Sequence, residues 1–451
     1  MGRNHWILIA LPILVWGCST DQEPLQTQNL LGVWSGTLFQ TESAWDSAVV
    51  QLEGASPELF LYQEGKPENY PLSQQGELLS VRGSGGLRFD AFLPTEQGPL
   101  RGVLTHDLWV QSLEFTAKDT RWVAPVTKPE IIDTDYQVFL HFFQDSLGDL
   151  QANIQSNKEN RELHFLIEKV SLEGNQIAFN ITNPRFSISA TYKPGEPGLS
   201  LAYGNAGGKR TVPLAKLPEN QWGGYLPRSR TEPYTYQIPE AAGAWLPTAS
   251  LAEVGISPSA LDFMGEIKKG TYTHIHSVII TKDDKLVLEE YFHGYHRQYL
   301  HDIRSAFKSI ASLAVGKAMM QQETLTPNSP LLDYYPEYQI SDPQKSQINV
   351  RHALTMSTGL QLEDEDAMQW EHPDWVQYKL SLPMQHDPGT VYEYSSGGTQ
   401  LLSGAIQQAT NTYLPLFLYQ ELLLPMGIHQ FQMLTSPAGR GYLADNFYLR
   451  A

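Results

Sequence analysis

The sequence predicts a multidomain protein in which an N-terminal all-β region precedes an α+β domain. Its 451 residues are too many for one ordinary hydrophobic core and suit two or three domains. Residues 30–217 read as short apolar runs separated by Gly, Pro and Asn, whereas the chain from residue 245 onward mixes helical patterns with a few strands. Residues 218–244 are rich in Pro, Gly, Tyr and Arg without periodicity, which predicts a linker.

The β-rich region brings no acid, base and nucleophile together in its sequence. Its strand-like runs include residues 60–62, 89–92 and 186–190, which turn-forming residues separate. Two small β-barrels and one β-sandwich fit this pattern equally well. We therefore interpret residues 30–217 as a spacer or binding module.

The first 29 residues predict export and a membrane anchor. Residues 1–17 combine a basic start with a short apolar run, which is the layout of a signal peptide and too short to span a bilayer comfortably. Residues 15–18 read VWGC and resemble a bacterial lipobox with a lipidated Cys18, although the tryptophan is atypical there. An ordinary cleaved signal with an incidental cysteine is the alternative. With residues 18–29 as a polar tether, we predict a lipid-anchored protein of the cell envelope, facing the periplasm or the cell surface.

The composition argues against several classes of function. The chain carries 49 acidic against 31 basic side chains, a formal charge of −18, and no basic stripe, so nucleic acid is not a predicted partner. No His, Cys and Asp cluster has the spacing of a metal site, and we predict neither a metal nor a cofactor. Because Cys18 is the single cysteine, no disulfide can form within the chain.

The C-terminal domain is predicted to begin with a β-hairpin and to continue with helices. Two β-rich runs, residues 276–281 and 286–292, flank a charged turn. Residues 305–322 lack Pro and are rich in Ala, Met and Lys, as in a buried helix. A later helix is predicted by apolar residues that share one helical face, namely Leu401, Leu402, Ala405, Ile406 and Ala409.

Residues 305–308 read SAFK, the single Ser-x-x-Lys of the chain. Positions three apart are neighbours on a helix surface, so Ser305 and Lys308 can reach one reacting centre. A serine hydroxyl becomes a good nucleophile when a base takes its proton, and a lysine held in its neutral form can serve. A serine at a helix start also offers its backbone N–H to an oxyanion. The alternative is a lysine packed beside a capping serine.

The context of this motif resembles the β-lactamase-related serine hydrolases, a family that spans class C β-lactamases, penicillin-binding DD-peptidases, esterases and 6-aminohexanoate-dimer hydrolases. The segments that carry the resemblance are residues 245–250 (WLPTAS), 253–256 (EVGI), 275–280 (IHSVII), 289–292 (EEYF), 304–309 (RSAFKS), 331–337 (LLDYYPE) and 352–360 (HALTMSTGL). The resemblance covers about residues 245–451 and implies a β-lactamase/transpeptidase-like domain, with an antiparallel sheet and a helical subdomain. It also implies that Ser305 is the nucleophile and Lys308 its activating partner.

The family's second element is a Tyr-x-Asn loop after a Pro-Gly-Thr turn. Residues 388–390 (PGT) precede residues 394–396 (YSS) here, so the tyrosine matches and Ser396 stands in place of the asparagine. The resemblance implies that Tyr394 shares proton transfer with Lys308 and helps to protonate the leaving group, with Ser396 in support. A packing role is the alternative for a loop tyrosine. The missing asparagine makes efficient β-lactam turnover less expected.

The family's third element, a Lys/His-x-Gly strand that completes the oxyanion hole, does not follow Tyr394 in this sequence. The resemblance therefore implies a hydrolase domain that is incomplete at the C-terminus. A lost oxyanion donor typically costs about 10²–10³-fold in turnover, so we expect low activity from the chain as given.

An acidic run lies at residues 363–366 (EDED), near Trp370 and Trp375, where the family varies its pocket wall. Such a run could select a cationic substrate. The preferred interpretation is a solvated loop with two packing tryptophans.

These observations predict a serine hydrolase that cleaves small-molecule esters or amides through an acyl-enzyme. β-Lactamase or DD-peptidase activity is the alternative reaction. A non-catalytic envelope lipoprotein with a degenerate hydrolase domain is the alternative class of function.

Overall fold

The computed structural model describes residues 25–37, 45–54, 56–93, 98–106, 108–126, 137–156, 167–181, 187–193, 198–205, 208–225, 233–241, 246–269, 271–272, 275–293, 295–297, 299–445 and 447–450. The predicted signal peptide and Cys18 lie outside these ranges. No helix within them is long and apolar enough to cross a membrane. The chain divides into two compact units, the first comprising Met1–Leu38, Gln137–Ser156 and Arg161–Trp222, and the second Phe39–Tyr136, Asn157–Asn160 and Gly223–Ala451.

The N-terminal region is built from strands, preceded by a single helical turn, α1 (Thr27–Leu30). The strands are β1 (Gly32–Thr37), β2 (Ser47–Gln51), β3 (Glu58–Gln63), β4 (Lys66–Pro71), β5 (Ser73–Gln75), β6 (Leu78–Arg82), β7 (Arg88–Phe92), β8 (Leu100–His106), β9 (Trp109–Lys118), β10 (Arg121–Pro125), β11 (Gln137–Gln144), β12 (Leu150–Ser156), β13 (Ile167–Glu173), β14 (Gln176–Ile181), β15 (Ser187–Tyr192), β16 (Leu199–Asn205) and β17 (Gly208–Lys216). The predicted all-β region is confirmed.

The first unit contains an eight-stranded antiparallel sheet in the order β12-β11-β1-β17-β16-β15-β14-β13. Its two end strands, β12 and β13, contact each other, so the sheet is nearly closed. Alternation along the strands explains which face is interior: in β14, Ile177 and Phe179 are buried while Gln176 and Asn180 are exposed.

The second unit begins with a sheet in the order β4-β3-β2-β10-β9-β8-β7-β6-β5. Its end strands β4 and β5 are separated in sequence by Leu72 alone, which brings the two ends of this sheet together as well. Its interior holds an apolar cluster that includes Leu59, Leu61, Phe89 and Phe115. The β region is thus organised as two nearly closed sheets, and β2–β10 are inserted between β1 and β11.

The rest of the second unit mixes helices with short strands. They are α2 (Asp262–Lys269), β18 (Ser277–Lys282), β19 (Lys285–Tyr291), β20 (Leu300–Asp302), α3 (Phe307–Gln321), α4 (Val350–Leu354), α5 (Glu365–Glu371), α6 (Trp375–Ser381), α7 (Ser396–Thr410), α8 (Leu414–Leu418), β21 (Phe431–Leu434) and β22 (Phe447–Arg450). Single 3-10 turns occur at Pro258–Leu261, Arg304–Ala306, Leu331–Tyr334 and Lys345–Gln347, and a π-helical turn at Tyr419–Leu423.

The predicted hairpin and both predicted helices are confirmed. Strands β18 and β19 pair antiparallel, with Lys282 opposite Lys285. The turn residues Asp283 and Asp284 have φ angles of 52° and 55°. Positive φ at both central residues is what a two-residue hairpin turn of the type I′ class requires. Helices α3 and α7 span the segments whose apolar residues predicted them.

The sheet of β2–β10 shares its core with the helices that follow. Val103 and Val110 belong to the same buried cluster as Phe307 and Ala311 of α3 and Leu401 of α7. Strand β9 also pairs with β21, which pairs with β22, which in turn pairs with β20. This chain of strand pairings ends at β20, whose last residue, Asp302, lies three positions before Ser305.

Candidate active site

Ser305 lies in a tight turn between β20 and α3. Arg304, the preceding residue, has a φ of 48°, an uncommon conformation for a residue with a side chain. Its backbone N–H donates to the Asp302 carboxylate at 2.8 Å, and the N–H of Ile303 donates to the carbonyl of Phe447 at 3.0 Å. Strain of this kind persists only where the surroundings enforce it, and it is common at functional sites. The turn leaves the Ser305 side chain exposed at the helix start.

Lys308, one helical turn later, contacts Ser305 directly. Its Nζ lies 2.9 Å from the Oγ of Ser305, 3.2 Å from the Oγ of Ser396 and 2.8 Å from the backbone carbonyl of Ala444. The stacking of Phe307 on Phe447, with ring centroids 3.9 Å apart, anchors the first turn of α3. Ser305 and Lys308, which are close in sequence, are therefore joined at this site by the Ser396 hydroxyl and the Ala444 carbonyl, which come from two distant segments.

Tyr394 lies over the lysine. The Lys308 Nζ is 5.0 Å from the centre of the Tyr394 ring, within the range of a cation–π contact. The Tyr394 side chain remains 48% exposed, so Ser305 and Tyr394 both face solvent. The structure thus brings together the four residues that the sequence singled out for this site: Ser305, Lys308, Tyr394 and Ser396.

Residues 352–360, the HALTMSTGL segment, hold the loop that carries Tyr394. The N–H of Gly389 donates to the carbonyl of Ser357 at 2.7 Å, and the N–H of Glu393 donates to that of Met356 at 2.9 Å. Gly389 has a φ of 84°, and a Cβ there would lie 2.9 Å from the Nε2 of His352, so only glycine fits. Burial, with help from the charge of Arg351, holds the pKa of His352 below its ordinary value.

Helix α7 begins at this loop and is capped by it. The Ser395 Oγ accepts from the N–H of Gly398 at 2.7 Å, a side-chain N-cap of the usual kind. Further along the helix, the buried Gln400 amide donates to the Gly441 carbonyl at 3.1 Å and accepts from the Leu443 N–H at 2.9 Å. Gln400 therefore fixes the segment whose next carbonyl, that of Ala444, receives the Lys308 amine.

The interpretation of residues 363–366 as a solvated loop is wrong for Glu363. Its side chain is 1% exposed and pairs with Lys379, which is 0% exposed, at 2.6 Å. Asp364 caps α5 by accepting from the Ala367 N–H at 3.0 Å, and Trp375 is buried as predicted. The side chain of Trp370 lies outside the described residues. Because its carboxylate is enclosed, Glu363 has no face free to select a substrate.

Glu363 and Lys379 are the site residues that the sequence interpretation missed. A signal was present: Lys379 follows Trp375 and Val376 on the same face of α6, and all three are buried. A lysine on an otherwise apolar helix face predicts a buried partner, because a buried charge is costly unless it is paired.

Other potential sites offer little chemistry. Within the described ranges no three His, Cys, Asp or Glu side chains are grouped so that they could hold a metal. A groove lined by Tyr234, Tyr236, Leu251 and Leu261 lies against α2, and no residue of the Ser305 site lines it.

Residues 274–450 match the family model described as Beta-lactamase. Similar solved structures include a proposed 6-aminohexanoate-dimer hydrolase from Bacillus anthracis, with 16% identity and a TM-score of 0.35 over 39% of this chain and 51% of that chain. They also include FmtA from Staphylococcus aureus (16% identity, TM-score 0.32, 39% and 58% covered) and D-amino acid amidase from Ochrobactrum anthropi SV3 (20% identity, TM-score 0.29, 35% and 54% covered).

The chain spans a little over half the length of each of these structures, from 51% to 58%. No curated protein matches it. The family match covers the hairpin, the Ser-x-x-Lys helix and the Tyr394 loop together. The resemblance of the C-terminal domain to the β-lactamase-related serine hydrolases is thus confirmed over residues 274–450.

Proposed function

We propose that the protein hydrolyses ester or amide bonds of small molecules through an acyl-enzyme on Ser305. The observation that carries this proposal is the contact of the Lys308 Nζ with the Ser305 Oγ at 2.9 Å, with Tyr394 and Ser396 beside it. A nucleophile within hydrogen-bonding distance of a base, itself oriented by further groups, is the arrangement that activates serine.

The partners of Lys308 are compatible with its action as a general base. A neutral amine has two N–H donors and one lone pair. The Ala444 carbonyl can only accept a hydrogen bond, and the Ser396 hydroxyl can accept the second. The lone pair is then left to receive the proton of Ser305, which is the protonation state that a general base needs.

The reaction proceeds in two halves. As the Ser305 Oγ attacks the carbonyl carbon, its proton passes to Lys308 and a tetrahedral oxyanion forms. We expect the backbone N–H of Ser305, at the helix start, to donate to that oxyanion. The C–O or C–N bond then breaks, and the departing group takes a proton from Lys308 through Tyr394. Water, deprotonated by the same pair, attacks the acyl-Ser305 ester, the bond between the carbonyl carbon and the Ser305 Oγ breaks, the Oγ takes the proton back from Lys308, and the acid is released.

The substrates are proposed to be esters or small amides. The Ser396 hydroxyl occupies the position of the family's asparagine and accepts a hydrogen bond from Lys308. A hydroxyl offers fewer hydrogen bonds to a substrate than a carboxamide does. Hydrolysis of β-lactams or of peptidoglycan peptides is therefore the less favoured reaction of the same machinery.

Active-site labelling tests the proposal. Purified protein is treated with a fluorophosphonate probe and with a fluorescent penicillin, alongside Ser305→Ala and the matched control Ser309→Ala, an exposed serine of the same helix. We expect fluorophosphonate adducts on the wild type and on Ser309→Ala, and none on Ser305→Ala. Equal labelling of all three proteins would remove Ser305 from the mechanism, and no labelling of any would favour the non-catalytic lipoprotein.

We also propose that Cys18 carries a lipid that anchors the protein in the cell envelope. The support is the VWGC sequence at residues 15–18 and the polar stretch that follows. Metabolic labelling with an alkyne fatty acid should mark the wild type and leave Cys18→Ala unlabelled. Labelling of both proteins, or of neither, would contradict the anchor.

A further inference from the structure

We infer that the buried Glu363–Lys379 pair is a positioning device that holds Tyr394 and Ser396 against Lys308. This inference rests on the proposed hydrolase function. Neither residue touches the reacting atoms, so both act through the loop.

The pair is fully enclosed and has few partners besides the loop. The Lys379 Nζ donates to the Glu363 Oε2 at 2.6 Å and to the Gln361 carbonyl at 2.8 Å. The two side chains are 0% and 1% exposed. Taking two charges out of water carries a large desolvation penalty, and apolar residues of the same volume often stabilise a fold equally well. A role in specifying one conformation explains why charges occupy this place.

The Glu363 carboxylate also accepts two hydrogen bonds from residues 395–397. Its Oε1 accepts from the backbone N–H of Gly397 at 2.6 Å, and its Oε2 accepts from the hydroxyl of Ser395 at 2.7 Å. These two residues flank Ser396, and Ser395 directly follows Tyr394. A carboxylate at the first turn of α7 also interacts favourably with the helix dipole. The carboxylate therefore fixes the backbone on both sides of Ser396.

The start of α7 packs closely against the Glu363–Lys379 pair, and this packing restricts its position. A Cβ on Gly397 would lie 3.0 Å from the Glu363 Cδ and 3.0 Å from the Lys379 Cδ. The helix start thus sits directly on the ion pair, with no room for a side chain between them. Loss of the pair would let the start of α7 move, and the 3.2 Å contact between Ser396 and Lys308 would loosen with it.

Displacement of Tyr394 has a specific chemical consequence. Tyr394 is needed when the leaving group must be protonated as it departs, as with an ethyl ester or an amide. It is not needed for p-nitrophenolate, which leaves without a proton. A loosened loop should therefore impair reactions with poor leaving groups more than reactions with good ones.

The experiment compares Glu363→Gln with a matched variant, Glu289→Gln. Glu289 is also a largely buried carboxylate that binds a cation, Arg297, and a hydroxyl, that of Tyr291, but it lies on the hairpin. For each protein, kcat/KM is measured with the p-nitrophenyl and the ethyl ester of one acid, because this parameter reports acylation. We expect Glu363→Gln to lose at least about tenfold more with the ethyl ester than with the p-nitrophenyl ester. Glu289→Gln should keep the wild-type ratio.

A second variant separates positioning from folding. Glu363→Gln combined with Lys379→Met leaves no unpaired buried charge, so its thermal midpoint should recover relative to Glu363→Gln alone. The altered ester ratio should persist in the double variant. Equal losses with both esters in either Glu363 variant would overturn the positioning role while wild-type, Ser305-dependent turnover stands. Absence of that turnover in the wild type would instead overturn the proposed function, and this inference with it.

Discussion

The two halves of the candidate site are held in place by different physical means. The nucleophile half, residues 302–308, is local: a strained turn and one turn of helix set the Ser305–Lys308 distance. The loop half, residues 394–397, depends on Glu363 and Lys379, which come from other segments. We therefore expect the Ser305–Lys308 distance to depend less on distant residues than the position of the loop half does.

The largest expected effect comes from removing the base of the nucleophile half. Lys308→Met should lower kcat/KM for a p-nitrophenyl ester by about 10³–10⁴-fold, because general base catalysis is lost. The matched control is Lys317→Met, a lysine of the same helix whose partner is Glu421 at 3.4 Å. A loss smaller than tenfold in Lys308→Met would show that the amine is not the base.

The stability that the Glu363–Lys379 pair gives to the loop half should depend on pH. Burial raises the pKa of Glu363, but the Lys379 charge and the hydrogen bonds outweigh burial, so that pKa lies below its ordinary value. A lowered pKa in the folded state gives stability that is present above the unfolded pKa and is lost as pH falls through the folded pKa. Breaking such a pair at neutral pH costs about 3 kcal/mol.

We therefore expect Glu363→Gln to unfold at a lower temperature than the wild type at pH 7, with the two midpoints converging as the pH falls below about 4. Thermal melts followed by circular dichroism across this range measure the difference. A gap that stays constant with pH would mean that the Glu363 charge does not carry the stability.

Tyr394→Phe tests the loop half at its catalytic end. The expected loss is about 10²-fold in kcat/KM for an ethyl ester, because a proton carrier to the leaving group is removed, and much less for a p-nitrophenyl ester. Tyr392→Phe is the control, since Tyr392 is 68% exposed and lies two residues earlier in the same loop. Equal behaviour of the two variants would assign Tyr394 a packing role.

The smallest effect is expected at Ser396. Ser396→Ala removes one hydrogen bond to Lys308, worth about 1 kcal/mol, or roughly fivefold in kcat/KM. The carbonyl of Ala444 and the hydroxyl of Ser305 still orient the amine. A loss above 100-fold would show that Ser396 takes part directly in proton transfer.

The sequence was informative where the structure is local. The hairpin turn at Asp283 and Asp284, the periodicity of α7 and the Ser305–Lys308 spacing all depend on contacts within one element, and each was predicted. Tyr394 was found through the Pro-Gly-Thr context, which no periodicity rule supplies. Glu363 was misread because an acid in a run of four acids resembles a solvated loop until its distant partner is known.

The arrangement of the β region was also beyond the sequence. Its strands were predictable from short apolar runs, but their order was not. The insertion of β2–β10 between β1 and β11 depends on pairings between strands far apart in the chain, such as Trp34 opposite Leu140. The pairing of β9 with β21, which ties one sheet to the segment before Ser305, likewise leaves no local signal.

A crystal structure of the protein after reaction with an alkyl phosphonate tests the central claim most directly. We predict phosphorus bonded to the Ser305 Oγ, with Lys308 still in contact with Ser396 and the Ala444 carbonyl, and with the Tyr394 ring over the amine. An adduct on another residue, or a Tyr394 ring turned away from Lys308 with no contact to the phosphonate, would contradict it.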